Sequence, residues 1–274
     1  MNFSTRDIDA ARPIGVFDSG IGGLTVLREI TRLMPSEDTI YLGDTARVPY
    51  GSKSKETVER YSLEDARFLV RRGVKMIVVA CNTASAFALE RLKLELKVPV
   101  IGVIEPGARA AARITRSKKV GVIGTEGTIK SNAYCGAIKA INPDIATFTK
   151  ACPLFVPLVE EGWLRDDVTR EIASRYLEGF KKLEIDTLVL GCTHYPLLKE
   201  TMLGVLGPGV VLIDSAAATA DEVKRSLAQA KLLNASDAQG AHRFFVTDSP
   251  ERFIAVGRRF FGETLDNAEL VVLN

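Results

Sequence analysis

Short apolar runs recur along this chain at intervals typical of a layered α/β protein. Each run is rich in β-branched residues and is bounded by Gly, Pro or Asp, which favours buried strands. The predicted strands are residues 14–17, 39–42, 76–79, 100–104, 120–123, 187–190, 210–213 and 244–246. Helical spacing of apolar residues predicts helices at 57–71, 84–96, 169–183 and 220–233. This alternation predicts parallel sheets covered by helices, with functional loops at the carboxyl ends of the strands.

The chain also contains an internal repeat. The strand at 76–79 is followed by Ala80 and Cys81, and the strand at 187–190 is followed by Gly191 and Cys192. Two further pairs of segments match in the same order at nearly the same offset. The repeat predicts an α/β fold with two pseudo-symmetric lobes, each a mostly parallel sheet flanked by helices, and an active site in the cleft between them. We expect residues 1–104 plus 214–274 to form the first lobe and residues 105–213 to form the second.

Composition and charge exclude several classes of protein. Apolar residues make up 46% of the 274 residues, enough for a substantial core, and 36 basic against 34 acidic residues leave a net charge of +2. This balance argues against a nucleic-acid partner. No apolar stretch approaches the ~18 residues of a membrane span, and residues 1–9 lack the apolar region of a secretion signal. We therefore expect a cytoplasmic protein without a membrane partner.

The cysteines carry the candidate chemistry. Four cysteines without CxxC spacing and only two histidines predict neither a disulfide framework nor a metal site. A Cys that follows a strand and precedes a helix lies at a helix N-terminus, where the thiolate is favoured. One such Cys is often only a small core residue, but Cys81 and Cys192 occur in matched contexts, whereas Cys135 and Cys152 do not.

Two facing thiols suit one reaction class, the inversion of a carbon stereocentre. One thiolate removes a proton from one face while the other thiol delivers a proton to the opposite face, and the two exchange roles in the reverse direction. Each thiol needs a neighbour that tunes its ionisation. Asp18 and His194 are the candidates for this role.

Five segments resemble the motifs of bacterial glutamate racemases, in the cofactor-independent aspartate/glutamate racemase family. They are Phe17-Asp18-Ser19-Gly20-Ile21-Gly22-Gly23, Pro49-Tyr50-Gly51, Cys81-Asn82-Thr83, Ile123-Gly124-Thr125 and Gly191-Cys192-Thr193-His194-Tyr195-Pro196-Leu197. The resemblance extends from about Pro13 to Gly262. It implies interconversion of L- and D-glutamate without pyridoxal phosphate or any other cofactor, supplying D-glutamate for peptidoglycan.

The resemblance also implies individual roles. Cys81 would act on D-glutamate with the help of Asp18, and Cys192 on L-glutamate with the help of His194 and Glu160. Glu161 stays an alternative to Glu160, because the surrounding segment is less distinctive. The implied substrate-binding residues are Asp18, Ser19, Tyr50, Gly51, Asn82, Thr83, Thr125, Thr193 and His194.

Two other functions stay open on the sequence. An aspartate racemase of the same family would differ only by a substrate one methylene shorter. A non-catalytic module that binds a small acid in a two-lobed cleft belongs to another class, but it would not need paired thiols. The expected partner is the small-molecule substrate glutamate, and a homodimer is compatible with the sequence.

Overall fold

The computed structural model describes residues 9–273, within which the chain forms two parallel sheets with helices between the strands. The strands are β1 (Ile14–Asp18), β2 (Thr39–Gly43), β3 (Met76–Val79), β4 (Val100–Gly102), β5 (Lys119–Gly124), β6 (Ala146–Ala151), β7 (Thr187–Gly191), β8 (Val211–Asp214), β9 (His242–Val246) and β10 (Glu269–Leu270).

The helices lie between these strands. They are α1 (Leu24–Leu33), α2 (Lys55–Arg71), α3 (Asn82–Glu95), α4 (Ile104–Ile114), α5 (Glu126–Lys130), α6 (Ala133–Ile141), α7 (Phe155–Glu161), α8 (Asp167–Lys182), α9 (Lys199–Leu206), α10 (Ser215–Ala230) and α11 (Pro250–Phe261). Short 3₁₀ turns at Thr45–Arg47, Tyr50–Ser52 and Tyr195–Leu198 complete the loops. No helix in the range 9–273 is long and apolar enough to cross a membrane.

The strand order shows which strands lie inside each sheet and which lie at its edges. The first sheet has the order β10-β9-β2-β1-β3-β4 and the second has the order β6-β5-β7-β8. The strands β9 and β10 lie in the first sheet although the second sheet separates them in sequence from β1 to β4. The pairs β1–β3 and β5–β7 are parallel neighbours, and none of these four strands is at the edge of its sheet. The residue boundaries given above for the two lobes stay a prediction.

The predicted α/β architecture of two parallel sheets is confirmed, with local corrections. The strand predicted at 100–104 ends at Gly102, and α4 begins at Ile104, with Glu105 in its first turn. An acidic residue in the first turn of a helix is favoured by the helix dipole. The sequence pattern missed β6, an edge strand whose Thr and Lys side chains are half-buried or exposed, and the two-residue β10.

One apolar core joins the two sheets. It contains residues of β1 and β5, such as Val16 and Ile123, together with Leu27 of α1 and Val223 of α10. Buried apolar surface of this extent stabilises the arrangement of the sheets relative to each other. Residues at or just after the carboxyl ends of β1, β3, β5 and β7 line one pocket.

Candidate active site

All twelve predicted site residues line one pocket between the two sheets. They are Asp18, Ser19, Tyr50, Gly51, Cys81, Asn82, Thr83, Thr125, Glu160, Cys192, Thr193 and His194. Five further residues line the same pocket and were not selected from the sequence: Gly20, Ile21, Val48, Pro49 and Val156. Gly20, Ile21 and Pro49 lie within the glycine-rich and Pro-Tyr-Gly motifs, and Val48 directly precedes the second motif, so these motifs were the available signal. Val156 lies in α7 and carries no such signal.

Cys81 begins the helix that follows β3. Its side chain is the N-cap of α3 and accepts a hydrogen bond from the Ala84 N–H, with a distance of 3.5 Å between N and Sγ. The thiol donates to Ser19 Oγ at 3.7 Å. Burial raises the pKa of Cys81 to about 12, and the Asp18 charge adds to this effect, while the Ala84 N–H opposes it. The Ala84 N–H at the helix N-terminus favours the thiolate of Cys81, as expected, but burial has the larger effect on the pKa of this thiol.

Cys192 has a different environment. The predicted helix does not follow it directly, because Pro196 falls in a 3₁₀ turn and α9 begins only at Lys199. The Sγ of Cys192 lies 3.9 Å from His194 Nδ1. The partner of this thiol is thus an imidazole and not the N-terminus of a helix.

His194 connects Cys192 to a carboxylate. Its Nε2 lies 3.2 Å from Glu160 Oε1. Burial by itself would lower the pKa of His194, but the contacts with Cys192 and Glu160 outweigh burial and raise it to about 10. The hydrogen bond to His194 in turn lowers the pKa of Glu160. Glu160 is the carboxylate that reaches this site, whereas Glu161 is exposed.

Residues of α11 hold Glu160 in place. The Arg252 guanidinium lies 3.4 Å from Glu160 Oε2, and Arg259 donates to the Glu160 backbone carbonyl at 2.6 Å. Neither arginine was selected from the sequence, since each is part of an exposed helix face that looks like ordinary solvated charge.

Asp18 lies at the end of β1 beside Cys81. Its side chain is buried, and Oδ2 accepts a hydrogen bond from the Gly20 N–H at 3.0 Å. The other oxygen, Oδ1, is buried and has no hydrogen-bond partner among residues 9–273. Burial raises the pKa of Asp18, while the charge of His194 and the backbone N–H groups oppose this rise.

Glycines allow the two sides of the pocket to approach each other. A Cβ at Gly22 would lie 2.2 Å from Thr193 Oγ1 and 2.5 Å from His194 Nδ1. A Cβ at Gly51 would lie 2.6 Å from Thr125 Cβ. Any side chain at these two positions would therefore push the lobes apart, which explains why glycine is needed at both.

Side chains from both sheets join around the residues after Cys81. Asn82 Oδ1 accepts a hydrogen bond from the Tyr134 hydroxyl at 2.7 Å, and Asn82 Nδ2 is buried without a partner in the described part of the chain. The Thr83 and Thr125 hydroxyls lie 2.8 Å apart. Tyr134 was missed because nothing in the pattern of α6 separates it from an ordinary core tyrosine.

Tyr50 and Thr193 contribute less directly. Both line the pocket, but the Tyr50 hydroxyl contacts the carboxyl groups of Asp44 and Asp65, at 2.5 and 2.9 Å. The Thr193 backbone carbonyl accepts a hydrogen bond from Thr25 Oγ1 at 3.3 Å. The ring of Tyr50, not its hydroxyl, is thus the part available to the pocket.

The arrangement is suited to proton transfer. Two thiols from different sheets line one pocket, one beside a carboxyl group and the other beside an imidazole–carboxylate pair. Within residues 9–273, no group of three or more His, Cys, Asp and Glu side chains could hold a metal ion. The titratable groups of the site fall into two sets, Cys81 with Asp18 and Cys192 with His194 and Glu160.

Comparison with known proteins is consistent with this geometry. Residues 14–223 match the model of the Asp/Glu/Hydantoin racemase family. A glutamate racemase of Geobacter metallireducens is 59% identical over 262 residues, covering 96% of this chain and 97% of that protein.

Solved structures are similar over nearly the whole chain. The glutamate racemase of Francisella tularensis in complex with D-glutamate has a TM-score of 0.91 and 41% identity, covering 97% of this chain and 99% of that chain. The glutamate racemase of Thermus thermophilus in complex with beta-chloro-D-alanine has a TM-score of 0.88 and 52% identity, covering 97% and 98%. This chain therefore belongs to the Asp/Glu/hydantoin racemase family, among relatives named glutamate racemase.

Proposed function

We propose that this protein interconverts L- and D-glutamate by proton transfer at Cα between two thiols, Cys81 and Cys192. The observation that carries the proposal is that both cysteines follow central strands of different sheets and line one pocket. Each thiol also has its own proton-transfer partner, Asp18 near Cys81 and His194 near Cys192.

Unpaired polar atoms of the pocket match the groups of an amino acid. Asp18 Oδ1 is a buried acceptor that suits the ammonium group, and Asn82 Nδ2 is a buried donor that suits a carboxylate. A buried donor or acceptor without a partner is costly, so a ligand that supplies the missing contacts gains affinity. The hydroxyls of Ser19, Thr83 and Thr125 extend this polar lining.

The direction from L- to D-glutamate follows from the protonation of the two halves. With the pKa of His194 raised to about 10, the ring is an imidazolium at neutral pH and lies 3.9 Å from Cys192 Sγ, where its charge would stabilise a thiolate formed by Cys192. That thiolate takes the Cα proton, and the electron pair of the broken C–H bond remains on Cα and its carboxylate. Cys81, with its pKa raised to about 12, still carries its proton and delivers it to the opposite face of Cα.

The reverse direction starts from the state that this turnover leaves behind. Cys81 is then the thiolate and removes the Cα proton of D-glutamate, while the Cys192 thiol protonates the other face. Between turnovers, a proton exchanged with solvent can restore the first state, and Asp18 lies close enough to Cys81 to assist this exchange. One C–H bond breaks and one forms in each direction, so that no oxidant, reductant or cofactor is required.

The proposal includes the biological setting and sets aside the alternatives. Glutamate is favoured over aspartate by the 59% identical relative named glutamate racemase. A module that only binds a small acid would not need a thiol contacting a histidine–carboxylate pair. Supply of D-glutamate for peptidoglycan in the cytoplasm and a small-molecule partner are parts of the proposal. A homodimer and the absence of nucleic-acid and membrane partners stay predictions from the sequence.

Deuterium labelling tests the two-thiol mechanism. L-Glutamate is incubated with the protein in D₂O, and the enantiomers are separated at low conversion and analysed by mass spectrometry. The D-glutamate formed should carry deuterium at Cα, while the remaining L-glutamate stays largely protiated, because different thiols remove and deliver the proton. Deuterium entering L-glutamate as fast as D-glutamate would contradict the roles of Cys81 and Cys192.

A parallel assay on L-aspartate, with and without pyridoxal phosphate, tests which substrate is used and whether a cofactor is needed.

A further inference from the structure

We propose that Asp65 holds a proton in a buried hydrogen-bond chain, Asp65 to Tyr50 to Asp44, that positions one wall of the substrate pocket. This wall is the segment 48–51, of which all four residues line the pocket. Asp65 is thus a positioning residue that acts through Tyr50. This inference extends the proposed function. It rests on that function only where the KM for glutamate is measured.

The two carboxyl groups are fully buried around the hydroxyl of Tyr50. Asp44 and Asp65 are both 0% exposed, and Tyr50 is 1% exposed. The Tyr50 oxygen lies 2.5 Å from Asp44 Oδ2 and 2.9 Å from Asp65 Oδ2. A phenol has one proton, so it can donate to only one of these oxygens. The other contact requires that the carboxyl group itself be the donor.

The remaining contacts decide which carboxyl group is protonated. Asp44 already accepts hydrogen bonds from Arg47 Nε at 2.7 Å and from Thr247 Oγ1 at 2.9 Å, besides the shorter contact with Tyr50. Three donors around two oxygens are the environment of a carboxylate. Within residues 9–273, Asp65 accepts a hydrogen bond from Arg47 at 3.1 Å through Oδ1, and the one other contact of its carboxyl group is between Oδ2 and the Tyr50 hydroxyl at 2.9 Å. Asp65 Oδ2 can therefore carry the proton towards Tyr50.

The charges around Asp65 agree with this assignment. The groups that face it are Glu64 on its own helix, Arg47 and Asp44 on the loop after β2, and the Tyr50 hydroxyl. Arg47 is the one cation among them and is shared with Asp44 and Glu64. Two ionised carboxylates so close together in a buried site would repel each other strongly. Burial and the Asp44 charge accordingly raise the pKa of Asp65.

The hydrogen-bond chain from Asp65 to Asp44 is connected to the catalytic side of the pocket. The Asp44 backbone N–H donates to the Asp18 carbonyl at 3.1 Å, which ties the loop to the end of β1. On the other side, Gly51 packs against Thr125 of the second sheet so closely that a Cβ there would lie 2.6 Å from it. Loss of the Asp65 proton would leave Tyr50 between two negative charges and displace the segment 48–51. We therefore expect the KM for glutamate to rise at alkaline pH.

The first test is Asp65→Asn, whose amide reproduces the protonated acid. The amide NH₂ can donate to Tyr50 and its oxygen can accept from Arg47, so at neutral pH the KM should stay within about threefold of the parent. The alkaline rise of KM should disappear, because the variant has no proton to lose at this position. Asp44→Asn is the matched control, and its KM should rise about tenfold or more, since an amide cannot accept three hydrogen bonds.

The second test does not depend on activity. The infrared difference spectrum of the parent minus Asp65→Asn, at neutral pH, should contain the carbonyl band of a protonated carboxylic acid. Because a raised pKa makes the stability contribution of Asp65 decline as pH rises above its ordinary value, the Tm of the parent should fall more steeply with pH than that of Asp65→Asn. This test remains decisive if Asp44→Asn does not fold.

Two results would overturn the inference. The absence of the acid band would mean that Asp65 is an ionised partner of Arg47. Asp65 would also be ionised if Asp65→Asn raised the KM for glutamate as much as Asp44→Asn does. A protein that shows the acid band but no racemisation of glutamate would instead contradict the proposed function and leave the buried proton in place.

Discussion

The two halves of the pocket resemble each other in backbone and differ in proton chemistry. Cys81 and Cys192 each follow a central strand of a parallel sheet, and their exposed fractions are 6% and 7%. Cys81 caps a long helix and lies near Asp18, whereas Cys192 precedes a 3₁₀ turn and contacts His194. The repeat in the fold therefore places one thiol after a strand of each sheet, in the lining of one pocket, but gives the two thiols different neighbours.

The two thiols also differ in the charges around them. Burial holds the proton on Cys81, whose pKa is raised to about 12. The His194–Glu160 pair instead supplies a positive charge beside Cys192. The proposed two-thiol mechanism requires one thiol and one thiolate at the start of each turnover, and two unlike environments agree with that requirement.

The largest expected effect comes from removing either thiol. Cys81→Ala and Cys192→Ala should each lower racemisation by a factor of about 10³ or more, because a positioned acid or base is lost and the two thiols act as a unit. Circular dichroism should show an intact fold. The assay is the appearance of the opposite enantiomer, measured from both L- and D-glutamate.

Two other cysteines provide the control. Cys135→Ala and Cys152→Ala should be nearly silent in catalysis, since neither residue lines the pocket. Cys152 is fully buried and its variant can lose some stability, so the half-buried Cys135 is the cleaner control. Substantial racemase activity in Cys81→Ala or Cys192→Ala would contradict the two-thiol mechanism.

The sequence predicts which two cysteines lie in the site, but it does not predict how their environments differ. The apolar runs of β3 and β7, each followed by a small residue and Cys, identify the thiols because buried parallel strands are nearly continuous hydrophobic runs. The same reasoning does not identify β6, because β6 is a partly exposed edge strand. The ionisation of Cys81 is not predicted either, because burial has a larger effect on its pKa than the helix N-terminus.

Contacts between distant residues outside the quoted motifs could not be predicted. Arg252 and Glu160 are 92 positions apart, and Thr247 and Asp44 are 203 positions apart. Without the fold, no spacing links an arginine of α11 or an aspartate of α2 to the pocket. Single-sequence patterns reveal residues that follow strands, and they do not reveal the residues that support them from another lobe.

The second prediction concerns the partners of the thiols. His194→Asn should lower kcat from L-glutamate about 10²-fold, and Asp18→Asn should affect the direction from D-glutamate more strongly. The equilibrium constant cannot change, so the difference must appear as a different division between kcat and KM in the two directions. Equal losses of kcat in both directions, for both variants, would show that the partners are not specific to one half.

The third prediction uses the ionisation of His194. A pKa raised from 6.5 to about 10 means that its stability contribution is complete below about pH 6.5 and is lost as pH rises through about 10. The Tm of the parent should therefore fall between neutral pH and pH 10 by a few degrees more than that of His194→Asn. Parallel Tm curves for the two proteins would mean that His194 is neutral in the folded state.

Glu160→Gln examines the other member of the pair. The pKa of Glu160 is lowered, so its stability contribution is present above its ordinary value and is lost as pH falls through the lowered one. The variant should flatten the acid side of the Tm curve and lower the alkaline loss assigned to His194. An unchanged alkaline slope would indicate that the His194 proton depends on Cys192 alone.

The smallest expected effect comes from the contacts that each half receives from the opposite lobe. The Tyr134 hydroxyl, from α6, donates to Asn82 Oδ1 at 2.7 Å and so orients the amide nitrogen towards the pocket. Tyr134→Phe leaves that oxygen unpaired, and we expect the KM for glutamate to rise about three- to tenfold with kcat nearly unchanged. Thr25→Val is the matched change for the Cys192 half. Its hydroxyl has a longer contact, 3.3 Å, with the Thr193 carbonyl, so the KM should rise less than threefold. Steady-state kinetics on both enantiomers distinguishes the two, and a fall in kcat without a rise in KM for Tyr134→Phe would show that Tyr134 does not act by orienting Asn82.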